Sequence, residues 1–168
     1  MLSKFNIGDC VLFCVYLEKI VQGEDTADFI LRILRENHGF CGEKSDILRT
    51  KNGKPYVKAD DLYFSVSHKS DHIIMAVSDM EIGIDMETIS GADRTKSAKK
   101  ILLERELNEF DSLENIDEKE RLFLEFWTKK EAFIKKNNLT LKSIFDVDTT
   151  KIHSFSFYYS DFVISFCI

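Results

Sequence analysis

The sequence is poor in proline: its 168 residues contain one, Pro55. It also lacks any apolar stretch long enough to cross a bilayer. The one segment that invites a targeting reading is "CVLFCVYL" (10–17). It has no small-residue cleavage site and runs into Glu18 and Lys19, so it reads as a buried strand and no membrane partner is expected. Basic excess is missing too. Twenty-three Lys and Arg stand against 29 Asp and Glu, a formal net charge of −6. That excludes a general nucleic-acid binder, which needs a basic face, but allows a local basic pocket for a phosphorylated ligand. The four cysteines, Cys10, Cys14, Cys41 and Cys167, include no Cys-x-x-Cys pair and no Cys/His group with zinc spacing. They read as reduced thiols used as small hydrophobes in a cytoplasmic protein. Low-complexity segments and close internal repeats are absent.

What is present is a core. Apolar residues make up 44% of the chain and aromatics 12%, with 14 Phe, which excludes disorder and suits one domain or two small halves sharing a core. Residues 25–37 carry Phe29, Ile30, Ile33 and Leu34 at helical spacing, with Asp25 or Thr26 as cap and Gly39 beyond the end. Residues 40–55 read as loop. "LYFSVSH" (62–68) alternates, and with "HIIMAV" (72–77) and residues 82–89 it predicts a three-stranded antiparallel meander. The period then changes to helical over 94–113 and 117–137. The second helix carries an apolar stripe of Leu122, Phe123, Phe126, Trp127 and Ile134. Two alternating segments, 152–159 and 162–168, flank Ser160–Asp161 and predict a hairpin. The pattern is α+β, with a boundary expected near 88–92.

Two places combine charge with apolar surroundings. In "IGIDMETI" (82–89), strand alternation puts Ile82, Ile84 and Met86 on one face and Asp85 and Glu87 on the other. Two carboxylates on one face repel unless water or a cation lies between them. In "FWTKKEAFIKK" (126–136), Trp127, Glu131 and Lys135 recur every four residues on one helix face. A Glu–Lys pair at this spacing contributes only about 0.2–0.5 kcal/mol as an ion pair. A shared face with Trp127 turns the pair inward, where charges need a partner or a ligand.

These two motifs, in this order, resemble those of the 4′-phosphopantetheinyl transferases: Gly-Ile/Val-Asp-x-Glu, then Trp-x-x-Lys-Glu-Ala/Ser-x-x-Lys. The match includes Gly83, Asp85, Glu87, Trp127, Lys130, Glu131, Ala132 and Lys135. Upstream, "NGKPY" (52–56) resembles the family's Gly-Lys-Pro loop, and "FSVSH" (64–68) its Ser-His strand end. The four motifs cover about residues 44–142. With 82 residues before Gly83, their order resembles the longer Sfp-type enzymes.

The resemblance implies a pseudo-dimer of two α/β halves, 1–90 and 91–168, each an antiparallel sheet packed on a long helix. It implies transfer of the phosphopantetheine arm of coenzyme A to a serine of an apo carrier protein, with release of 3′,5′-ADP. Asp85, Glu87 and Glu131 would hold Mg²⁺, the hard cation that lets carboxylates face a pyrophosphate. Lys135 would contact the pyrophosphate and Glu131 would take the serine proton. Ser67 and His68 would bind coenzyme A phosphates, and Gly53, Lys54 and Pro55 would line the nucleotide end. A monomer is expected, because two halves in one chain form the cleft. A coenzyme A-binding, non-catalytic homologue and a metal-dependent phosphohydrolase are the alternative readings. The chain departs from the family where Gly-x-Gly-Leu would follow Lys135. It reads "KNNLT", so Asn137 or Asn138 is expected to end the helix. Arg32, Arg35 and Lys44 are the candidates to replace a basic N-terminal segment. The cluster Arg94, Lys96, Lys99 and Lys100 reads as a solvated helix face. His38, His72 and His153 receive no role.

Overall fold

Strand propensity and helix capping build the first layer pair of the molecule. The computed structural model describes residues 2–7 and 11–168; Cys10 and its thiol lie outside the described residues. Strands β1 (Leu2–Ile7), β2 (Val11–Lys19), β5 (Tyr63–Lys69) and β6 (His72–Ser78) form an antiparallel sheet in the order β1-β2-β6-β5. Helix α1 (Thr26–His38) covers one face of it. Of the two expected caps Asp25 is the one used: its carboxylate accepts the amides of Ala27 and Asp28 at 2.9 Å. Gly39 ends the helix in the left-handed region at φ 65°. Phe29, Ile30, Ile33 and Leu34 are buried against Tyr16, Phe64, Ile73, Met75 and Val77. The segment expected as loop contains a short 3₁₀ turn at 44–46 and a two-residue ladder, β3 (Leu48–Arg49) with β4 (Pro55–Tyr56).

The predicted meander is correct only for its first two strands. β7 (Gly83–Thr88) does not join β6, because both edges of β6 are already hydrogen-bonded, to β2 and to β5. Instead β7 pairs with β9 (Phe162–Cys167), which pairs with β8 (Ser154–Tyr159), giving a second antiparallel sheet in the order β7-β9-β8. β7 therefore precedes residue 90 in sequence yet lies in the second sheet. The expected hairpin is present, with Ser160 at φ 51° in its turn.

The two sheets pack face to face. Ile82, Ile84, Met86, Ile164 and Phe166 meet Phe13, Val15, Ile74 and Ala76 in one apolar cluster. The far face of the second sheet is covered by the helices α2 (Thr95–Ile101), α3 (Glu104–Ser112) and α4 (Ile116–Lys136). The single helix expected over 94–113 is thus two. The break comes where Leu103 is extended and gives its amide to the Glu106 carboxylate at 3.0 Å, starting α3 afresh. Glu106 is held there by the fully buried Lys130 at 2.8 Å and by Thr149. The layers run α1, first sheet, second sheet, α4.

Candidate functional site

α4 can lie against β7 because Gly83 has no side chain. A Cβ at that position would stand 1.9 Å from the Ala132 carbonyl oxygen. Residues 83, 85 and 87 share one strand face. The helix therefore presents its 131/135 side to the acids of β7. Lys135 Nζ lies 2.7 Å from Asp85 Oδ1. From the other side, Ser67 Oγ donates to the same oxygen at 2.8 Å.

Asp85 is only 5% exposed, and its second oxygen, Oδ2, is buried without a hydrogen-bond partner among the described residues. An unpartnered carboxylate oxygen in a buried place is costly unless something binds it. Glu87 is partly buried, with Oε2 2.5 Å from Lys69 Nζ. Burial, reinforced by the charge of Asp85, opposed by Lys135 and reinforced again by Glu87, pushes the Glu131 carboxyl from 4.5 to about 7. The three acids thus feel one another. Among the described residues, no three acids, histidines or cysteines stand in an arrangement that itself holds a metal ion. Lysines occupy Asp85 and Glu87 instead. The donor chemistry suits a hard divalent cation: it is all oxygen, one oxygen is buried and unpartnered among the described residues, and burial, with the charges of Asp85 and Glu87, raises the third acid.

Next to this cluster opens a cleft of about 500 Å³. It is lined by Gly53, Lys54 and Pro55 from the β3–β4 loop, Ser67 and His68 from β5, and Glu131 and Lys135 from α4. Asp85 and Glu87 are not part of its wall; Asp85 lies behind Ser67 and Lys135, which are. The loop is held to the end of α4 by Asn138. Thr50 Oγ1 meets Asn138 Oδ1 at 2.7 Å, and Asn52 Nδ2 donates to its carbonyl at 2.5 Å. Asn138 adopts φ 50°, the left-handed conformation expected of an asparagine replacing glycine after the helix. The Lys54 ammonium is tied to Glu81 at 2.6 Å and to the Lys136 carbonyl at 3.3 Å, so it lines the cleft as part of a fixed loop. His68 is exposed at the cleft wall.

Three basic residues do not reach the cleft. Arg32 pairs with Glu18 and Glu24, Arg35 with Glu43, and Lys44 with Asp25 and Asp28. Each has nearby acids of its own, which no periodicity reveals. Arg49 lines the cleft together with Lys54 and Lys135, and its guanidinium donates to the Gly53 carbonyl at 3.0 Å. Its place four residues before Gly53 was the signal available. Lys69 was also missed, although strand alternation carries it to the same side as Ser65 and Ser67. Arg94 is not part of a solvated face. It binds the buried Glu120 at 2.8 Å, which also accepts from Ser90 and Gly91 and so pins the turn after β7. Burial disfavours ionised Glu120 more than any other single influence. The hydrogen bonds from Arg94, Ser90 and Gly91 together outweigh it and hold the carboxyl below its ordinary value.

Comparison with known proteins gives this cluster a context. Residues 81–161 match the model of the 4′-phosphopantetheinyl transferase superfamily. The chain is 37% identical over 94 residues to 4′-phosphopantetheinyl transferase gsp of Aneurinibacillus migulanus, covering 54% of this chain and 38% of that protein. It is 32% identical over 107 residues to psf-1 of Bacillus pumilus, covering 63% and 45%. With AcpT of Escherichia coli O157:H7 it shares 30% identity over 125 residues, covering 73% and 60%. The chain spans about half the length of the curated relatives it matches. Residues 81–161, the stretch that matches the 4′-phosphopantetheinyl transferase superfamily model, contain Asp85, Glu87, Glu131 and Lys135, and the chain is similar over part of its length to the transferases gsp and psf-1.

Proposed function

We propose that this chain transfers the 4′-phosphopantetheine arm of coenzyme A to a serine of an apo carrier protein (acyl, peptidyl or aryl), with release of 3′,5′-ADP. The observation that carries the reading is the convergence at one cleft. Four stretches far apart in sequence bring the Gly53–Pro55 loop, Ser67–His68, the acids behind them, and Glu131 with Lys135 to one place.

In this reading Asp85, Glu87 and Glu131 would hold Mg²⁺, which when bound would supply positive charge for the pyrophosphate. Lys135 sets a point charge against the pyrophosphate oxygens, and His68 and Ser67 orient the phosphate groups. The fixed Gly53–Pro55 loop receives the nucleotide end. Its glycine, at φ 88°, lets the backbone come close. Glu131 accepts the proton of the carrier serine as its oxygen forms the new bond to phosphorus, and the phosphorus–oxygen bond to 3′,5′-ADP breaks. Most of the acceleration then comes from positioning and charge stabilisation.

The two sheets, with α1 and α4 as their long helices, support a pseudo-dimer of halves 1–90 and 91–168, with β7 crossing from the first into the second. No helix among the described residues is long and apolar enough to cross a membrane. We place the protein in the cytoplasm as a monomer, acting on a carrier rather than on nucleic acid.

The test is mass spectrometry of apo carrier proteins incubated with this protein, coenzyme A and Mg²⁺. A phosphopantetheinyl mass gain on the carrier is expected. Coenzyme A binding without transfer would make the chain a non-catalytic homologue, and breakdown of coenzyme A without a carrier would make it a phosphohydrolase. Either result ends the transferase reading.

A further inference from the structure

One face of β5 meets the outer edge of β7 in three successive rungs. The Ile84 amide donates to Ser65 Oγ at 3.1 Å, Ser67 Oγ donates to Asp85 Oδ1 at 2.8 Å, and Lys69 Nζ lies 2.5 Å from Glu87 Oε2. Residues 65, 67 and 69 share this face because strand side chains alternate. The backbone that places the serines therefore also places Lys69. The lysine side chain is 41% exposed and that of Glu87 is 21% exposed, so the ammonium can swing into water at little cost. Lys135 holds Asp85 in the same way from α4. Two ammonium groups thus contact two of the three carboxyl groups that a divalent cation would need. An ammonium and a divalent cation repel, and both cannot sit on one carboxylate oxygen.

We propose that Lys69 is a resident counter-cation for Glu87. It holds the carboxylate in place while the site is free of metal, and a divalent cation must displace it. Lys69 therefore sets the metal concentration at which the site fills. This rests on the reading of Asp85, Glu87 and Glu131 as metal ligands. It is a positioning role, exercised through Glu87.

Calorimetric titration of Mg²⁺ into metal-free protein, without coenzyme A and at one pH and ionic strength, tests it. The proteins compared are wild type, Lys69→Met, Lys69→Arg and Asp85→Ala, each with its folding checked by circular dichroism. Lys69→Gln is a second neutral variant should Lys69→Met misfold. Removing one neighbouring positive charge is expected to tighten Mg²⁺ binding about tenfold in Lys69→Met, while Lys69→Arg stays near wild type. Equal or weaker binding by Lys69→Met, with Asp85→Ala abolishing it, overturns the role of Lys69 and leaves the metal site standing. No binding by wild type or Lys69→Met, or binding unaltered in Asp85→Ala, overturns the metal site and this role together.

Discussion

Gly83 lies directly under the Ala132 carbonyl, at a distance that leaves no room for a methyl group. The contact is between backbones, so neither side can yield by turning a side chain. Gly83→Ala is expected to destabilise the protein by about 3 kcal/mol, measured by urea unfolding, because α4 must lift from β7. Transfer activity should fall with it, since the lift separates Lys135 from Asp85.

Asp85→Ala and Glu131→Ala should each lower carrier modification at least about a hundredfold, as expected for removing a charge-positioning group. Circular dichroism should show the fold retained. Chelation of divalent cations should have the same effect on wild type and be reversed by Mg²⁺. Retained turnover in both variants would refute the assignment.

Glu120 makes stability depend on acid. Its folded-state carboxyl is held below the ordinary 4.5 of the unfolded chain. Its contribution is therefore complete above about 4.5 and is lost as pH falls through the lower, folded value. Glu120→Gln should flatten the acid limb of a plot of unfolding free energy against pH, and should cost about 3 kcal/mol near neutrality by leaving Arg94 without its partner.

Asn138 serves both the helix end and the β3–β4 loop. Asn138→Ala loses the bond to Thr50 and places alanine at φ 50°, a cost of about 1 kcal/mol. The KM for coenzyme A should rise several-fold, with kcat little changed. Asn138→Gly keeps the conformation and should be the milder change in thermal unfolding.

Lys130 belongs to the same motif as Glu131 but faces the other way. It is fully buried on Glu106 and the Val147 carbonyl. Lys130→Met strands the Glu106 charge and is expected to cost about 3–5 kcal/mol in urea unfolding. A double change that also makes Glu106 apolar should recover much of that loss.

The local pattern sufficed for α1, for the β5–β6 hairpin and for the turn at Ser160–Asp161, because residues beside each set its limits: Asp25 and Gly39 cap α1, and short turns join the paired strands. The meander failed for the opposite reason. Whether β7 joins β6 depends on which edges β2 has already taken, and no local pattern reports that. The break before α3 has the same origin: it follows the Glu106 carboxylate, held by a lysine in α4.

Which residues carry the charges is legible from the chain, because strand and helix periods put Asp85 with Glu87 and Glu131 with Lys135 on common faces. What those faces meet depends on the packing of distant segments. Gly83 let α4 down onto β7, the serines of β5 closed the other side, and Lys69 arrived beside Glu87. Contacts between distant segments depend on how layers stack and which edges remain free. A one-dimensional pattern does not encode either.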